Sequence, residues 1–93
     1  DEMLIDYSEK IVAIAGHRME FTKIEYQIIE FLSMHPGQVF DKERIYAQVC
    51  GYDAEGDSRT ITELVRRIRK KIAGYSEKEY IETVWGIGYR WKK

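Results

Sequence analysis

The sequence predicts an α+β domain in which a short antiparallel β-meander, three helices and a β-hairpin follow one another. Three observations predict it. Three short β-prone stretches joined by two-residue connections open the chain, three helical stretches are bounded by capping residues, and two β-prone runs flank a glycine-punctuated turn near the C-terminus. With 93 residues, 44% of them hydrophobic and 33% charged, the chain has material for one modest core, a single domain over residues 1–93.

Residues 3–7, 10–15 and 18–21 are the β-like stretches, and Ser8-Glu9 and Gly16-His17 are expected to connect them as two-residue turns. Thr22-Lys23-Ile24-Glu25 has the spacing of a capping box, in which the Thr22 hydroxyl accepts from the Glu25 N–H and the Glu25 side chain reaches back. The helix it opens is predicted to bury Ile24, Ile28, Phe31 and Leu32, and His35-Pro36-Gly37 stops it. Asp41 is the expected N-cap of a second helix over residues 42–49, with Ile45 and Val49 inward and Cys50-Gly51 at its end. Residues 51–56 form an acidic loop holding Asp53 and Glu55. A third helix runs from about residue 58 to residue 73 and ends at Gly74. On it Ile61, Leu64, Val65, Ile68 and Ile72 fall within an arc of about 100°. Residues 80–84 and 88–91 flank Trp85-Gly86-Ile87, and Gly86 and Gly88 are expected to permit the tight turn.

The net charge of −1 conceals a division: residues 1–58 carry −7 and residues 59–93 carry +6. A polyanion responds to the local field, screened beyond about 8 Å at physiological salt, so the acidic front half does not exclude one. Around the apolar arc of the third helix stand Arg59, Arg66, Arg67, Arg69, Lys70 and Lys71, against the single acid Glu63. Arg66 with Lys70 and Arg67 with Lys71 are like-charge neighbours at i,i+4, a cost that bound phosphates would remove. Guanidinium groups bind guanine edges or phosphate oxygens bidentately, an α-helix fits the major groove, and the short hydroxyls of Thr60 and Thr62 allow close approach.

Other functions find little support. His17 and His35 have no partners at metal-ligand spacing, no nucleophile stands with a base and acid, and Gly86-x-Gly88 reads as a hairpin rather than a phosphate cradle. No metal, no cofactor and no enzymatic activity are therefore expected. Tyr7, Tyr26, Tyr46, Tyr75 and Tyr80 read as core and edge aromatics. No apolar run approaches the roughly 20 residues of a membrane span, and the lone Cys50 fits a reducing compartment, the cytoplasm. The alternative reading is a protein-interaction module whose basic helix docks an acidic partner. RNA is disfavoured because its A-form major groove does not admit a helix.

The block Thr83-Val84-Trp85-Gly86-Ile87-Gly88-Tyr89-Arg90 resembles the end of the effector domain of OmpR/PhoB-type response regulators. The resemblance covers essentially the whole chain: the meander, the first helix at residues 21–32, the second at 40–51 and a recognition helix within 57–72. It implies a winged helix-turn-helix with residues 80–91 as the wing, binding double-stranded DNA to regulate transcription. It implies that Thr62, Glu63, Arg66, Arg67 and Lys70 read bases, and that Lys42, Arg59, Thr60, Arg69 and Tyr89 hold phosphates, with Thr83 adding a hydroxyl. Tyr52, Asp53, Ala54, Glu55 and Gly56 would form the loop offered to RNA polymerase. A receiver domain, acted on by a sensor kinase, is expected before Asp1, and a monomer in isolation is expected to pair on tandem half-sites. Three residues depart from the family pattern: Cys50 replaces a common Trp, Leu64 replaces a common polar residue and is expected in the core, and Trp85 replaces a common Arg. The indole is expected to pack along the hairpin or rest against sugar and backbone.

Overall fold

The computed structural model describes residues 2–51 and 56–93. Its elements run β1 (Met3–Asp6), β2 (Ile11–Ile14), β3 (His17–Arg18), α1 (Lys23–Ser33), α2 (Lys42–Cys50), α3 (Arg59–Ala73), β4 (Ile81–Val84) and β5 (Gly88–Trp91). The first three strands form an antiparallel sheet in sequence order, and β4 and β5 form a hairpin. Among the described residues no helix is long and apolar enough to cross a membrane.

The meander is present with shifted turns. Ile14 pairs with His17, so Ala15-Gly16 and not Gly16-His17 makes the second turn. Both of its residues have positive φ, 49° and 83°, the backbone of a tight hairpin whose twist matches the strands. The first connection is the four residues 7–10 between paired Asp6 and Ile11, and the Asp6 carboxylate accepts from the Glu9 N–H at 2.9 Å. The third strand is shorter than predicted: the Met19 N–H still donates to the Val12 carbonyl at 2.8 Å, but beyond it the chain is engaged elsewhere. The Glu20 carbonyl accepts from Lys71 Nζ at 3.0 Å, and the Thr22 N–H donates to Glu25 Oε1 at 2.9 Å.

That second bond is half of the capping box; the other is Glu25 N–H to Thr22 Oγ1, at 3.3 Å. The α1 face differs from the predicted one. Tyr26, Ile28, Ile29 and Leu32 are buried, while Ile24 and Phe31 are only half-buried against the core. Asp41 caps α2 as predicted, accepting from the Arg44 N–H at 2.7 Å, and Ile45 enters the core. Helix α3 buries all five residues of its predicted arc, Leu64 included. After α1 the chain runs beside β5: Gly37 N–H donates to the Trp91 carbonyl, and Phe40 and Tyr89 exchange a pair of backbone bonds of 2.9 Å each. The start of α2 is thereby pinned to the hairpin.

Gly88 sits at that junction. A Cβ built on it would lie 2.1 Å from the Phe40 carbonyl oxygen and 2.8 Å from Asp41 Cα. Its role is therefore close approach of two backbones, and the turn itself rests on Gly86, at φ 80°.

Candidate nucleic-acid interface

Helix α3 is amphipathic: its apolar stripe fixes it on the core and turns its cations outward. The hairpin stands beside it, and the first turn of α2 closes the third side. Together they bound an open groove lined by Lys42, Glu43, Thr62, Arg66, Arg69, Thr83, Trp85, Ile87 and Tyr89 among others. Seven of the residues singled out from the sequence, on two helices and the hairpin, thus meet in one place. Arg59, Thr60, Arg67 and Lys70 are exposed on α3 without lining this groove, and Glu63 is half-buried there. Sequence reasoning missed Glu43 and Ile87. The signals available were the position of Glu43 beside Lys42 and the spacing of Ile87 two residues from Trp85.

The cations of α3 are not bare. Glu63 accepts from Arg66 through both oxygens, at 3.1 and 2.6 Å, and from Arg67 Nε at 3.1 Å. These guanidinium groups, Arg66 foremost, hold its carboxyl down at about 2. Arg59 pairs with Asp57 at 2.7 Å, and Lys71 with Glu25 at 2.6 Å. The like-charge cost expected along this helix is therefore largely relieved within the chain. Among the described residues Lys70 carries no ion pair.

Arg69, expected to hold a phosphate, has partners within the protein: its guanidinium donates to the Ile81 carbonyl at 2.8 and 3.2 Å and to Thr83 Oγ1 at 2.8 Å. It lies 5.6 Å above the centre of the Tyr89 ring, a cation–π contact. Arg69 is a strap between recognition helix and wing. Tyr89 is only 6% exposed and forms the floor of the groove with Thr83.

Of the two placements expected of Trp85, it does not pack along the hairpin: it projects from the wing tip 89% exposed, with Ile87 61% exposed beside it, where it would be free to rest against sugar and backbone. Cys50 is half-buried, and burial pushes its thiol up, away from the reactive thiolate. Residues 52–55 of the predicted polymerase loop lie outside the described residues. Gly56 is described and exposed, with φ 107°.

Three helices with α3 displayed beside a β-hairpin, and a cationic groove between them, define the winged helix-turn-helix class of nucleic-acid-binding domain. The chain belongs to the family of C-terminal domains of transcriptional regulatory proteins, which matches residues 16–91, and within it to the OmpR/PhoB-type response-regulator DNA-binding domains. It is 40% identical over 89 residues to the transcriptional regulatory protein SpaR of Bacillus subtilis, covering 96% of this chain and 40% of that protein. It is 35% identical over 85 residues to the response regulator ArlR of Staphylococcus haemolyticus, covering 91% and 39%. Its fold matches the AdeR DNA-binding domain, solved in complex with an intercistronic region, with TM-score 0.86 and 26% identity over all of this chain and 95% of that one. The response regulator DrrB of Thermotoga maritima, an OmpR/PhoB homologue, matches with TM-score 0.87 and 28% identity over all of this chain and 42% of that one. The chain spans about two fifths of the length of the curated relatives it matches.

Proposed function

We propose that this domain binds double-stranded DNA sequence-specifically and regulates transcription as the effector part of a two-component response regulator, in the cytoplasm and without enzymatic activity of its own. The observation that carries the reading is the groove that brings Lys42, Thr62 and Arg66 opposite the wing. With α3 in the major groove, Arg66, Arg67 and Lys70 face base edges together with Thr62 and Glu63. Lys42, at the N-terminus of α2 where the helix dipole also favours an anion, grips backbone phosphate. Arg59 and Thr60 hold flanking phosphates, and Thr83 and Tyr89 form the groove floor over which the strand passes. The share of the relatives' length left uncovered supports a receiver domain in the full protein, controlled by a sensor kinase, and the segment 52–56 is the proposed contact with RNA polymerase.

The test is duplex binding by fluorescence anisotropy across a salt series. Six to eight phosphate contacts give a slope of log K against log salt of about −5 to −7. Arg66→Ala and Arg67→Ala each weaken the selected sequence by about 1–3 kcal/mol beyond their effect on random duplex, whereas Lys42→Ala weakens both alike. A salt-independent affinity, or tight capture of an acidic protein in place of duplex, would favour the protein-interaction reading instead.

A further inference from the structure

We propose that Glu63 is a specificity-determining residue: its carboxylate occupies Arg66 and Arg67 in the free domain and releases them only to base edges that also give it a donor. The inference rests on the reading of α3 as the recognition helix and adds to it a cost against the wrong ligand.

Consecutive residues on a helix point about 100° apart, so Arg66 and Arg67 do not converge by default. They converge here because Glu63, three and four positions earlier, draws three N–H groups onto one carboxylate. No other acid lies on α3. The carboxyl remains ionised far below neutral pH, so protonation is not a route to removing its charge. A backbone phosphate offers only acceptor oxygens. To take the Nε–Nη2 edge of Arg66 or the Nε of Arg67 it must displace the carboxylate, and at their remaining N–H groups it sits beside that anion with no donor to offer it. A base pair in the major groove offers a different bargain. Guanine O6 and N7 take one guanidinium bidentately, while cytosine N4 or adenine N6 donates to a carboxylate. A guanine with such an amine next to it satisfies both arginines and Glu63 together. The same carboxylate that opposes phosphate-driven binding thus rewards one pattern of donors and acceptors.

The experiment compares wild type, Glu63→Gln and Glu63→Ala against a random-sequence duplex and against the duplex selected by the wild type from a randomised pool. The Glu63 side chain is 45% exposed and outside the core, and thermal unfolding checks that both variants keep the fold. Glu63→Gln should bind random duplex about three- to tenfold tighter, with a salt slope steeper by about one phosphate equivalent. Its affinity for the selected site should rise by less or fall, and a fresh selection should lose the cytosine or adenine preference beside the guanine. Equal factors on both duplexes, or no change on either, would overturn the proposal while leaving the DNA reading in place. Absence of salt-dependent duplex binding by the wild type would overturn both.

Discussion

Gly88 shows how much one missing side chain can specify. The backbone of β5 lies so close to Phe40 that any Cβ would collide with its carbonyl oxygen, in a residue pinned by two backbone hydrogen bonds to Tyr89. Backbone cannot rotate away as a side-chain end can. Gly88→Ala should therefore cost about 3 kcal/mol, typical of severe overpacking, and lower Tm by roughly 15 °C. Because the groove loses its third side, the variant should also weaken selected and random duplexes alike, which anisotropy at a temperature where it is folded would read. Trp85 makes the opposite case, a side chain with ample space, 89% exposed, and no partner among the described residues. An indole has no charge and one N–H donor, so it gains nothing from the deep negative potential of a narrow A·T minor groove. Trp85→Arg should raise affinity overall and add a flanking A·T preference, read by selection with randomised flanks. A strong flanking preference already present in wild type and abolished in Trp85→Ala would show that the indole itself reads the groove.

At the scale of elements, α3 is held by two of its own cations. Arg69 ties it to the wing, and Lys71 ties it to the buried Glu25 of α1 and to the Glu20 carbonyl before it. Burial pushes the Glu25 carboxyl up, but the Lys71 ammonium and the Thr22 N–H more than reverse this and leave it below its ordinary value. A depressed carboxyl stabilises the fold above its unfolded pKa and loses that contribution as pH falls through the folded one. Lys71→Met inverts the sign. The carboxylate, 2% exposed, loses its counter-ion, and burial then holds its pKa above the unfolded value. The variant should lose about 3 kcal/mol near pH 7, the low end for a broken buried pair because the lysine end meets water. Its deficit should shrink toward about pH 4, where the carboxyl can protonate. Urea unfolding of both proteins at the two pH values measures this; a deficit that does not change with pH would place the loss in packing rather than charge.

For the molecule as a whole, size and charge both bear on assembly. The longest Cα extent, 36 Å, is close to one turn of DNA, about 34–36 Å. The proposed tandem binding would set two copies on adjacent turns in the same orientation, each with its own recognition helix in a major groove. A duplex carrying two direct repeats of the half-site about 10–10.5 bp apart should bind the second copy more tightly than the first. Inserting about 5 bp, which rotates one site to the far side of the helix, should abolish that gain. Sedimentation of the free domain should show a monomer at the same concentrations. If the rotated sites bind with the same cooperativity, contact between neighbouring copies is not its source.

The order of the elements, the caps at Thr22 and Asp41 and the buried arc of α3 were legible in the sequence, because capping and helical periodicity act over three or four residues. The grip of Glu63 on Arg66 and Arg67 lies within that same range, yet the residue types alone fitted either a solvated face or a charged reader. What only the tertiary structure decided is every contact made across the chain. Lys71 meets Glu25 from 46 positions away, Arg69 turns from solvent to Ile81 and Thr83, and Gly88 meets Phe40. Whether a cation on an exposed helix faces a ligand or its own protein depends on which oxygen the packing brings within 3 Å. Local sequence holds no record of that, since the oxygen belongs to an element placed by the hydrophobic core.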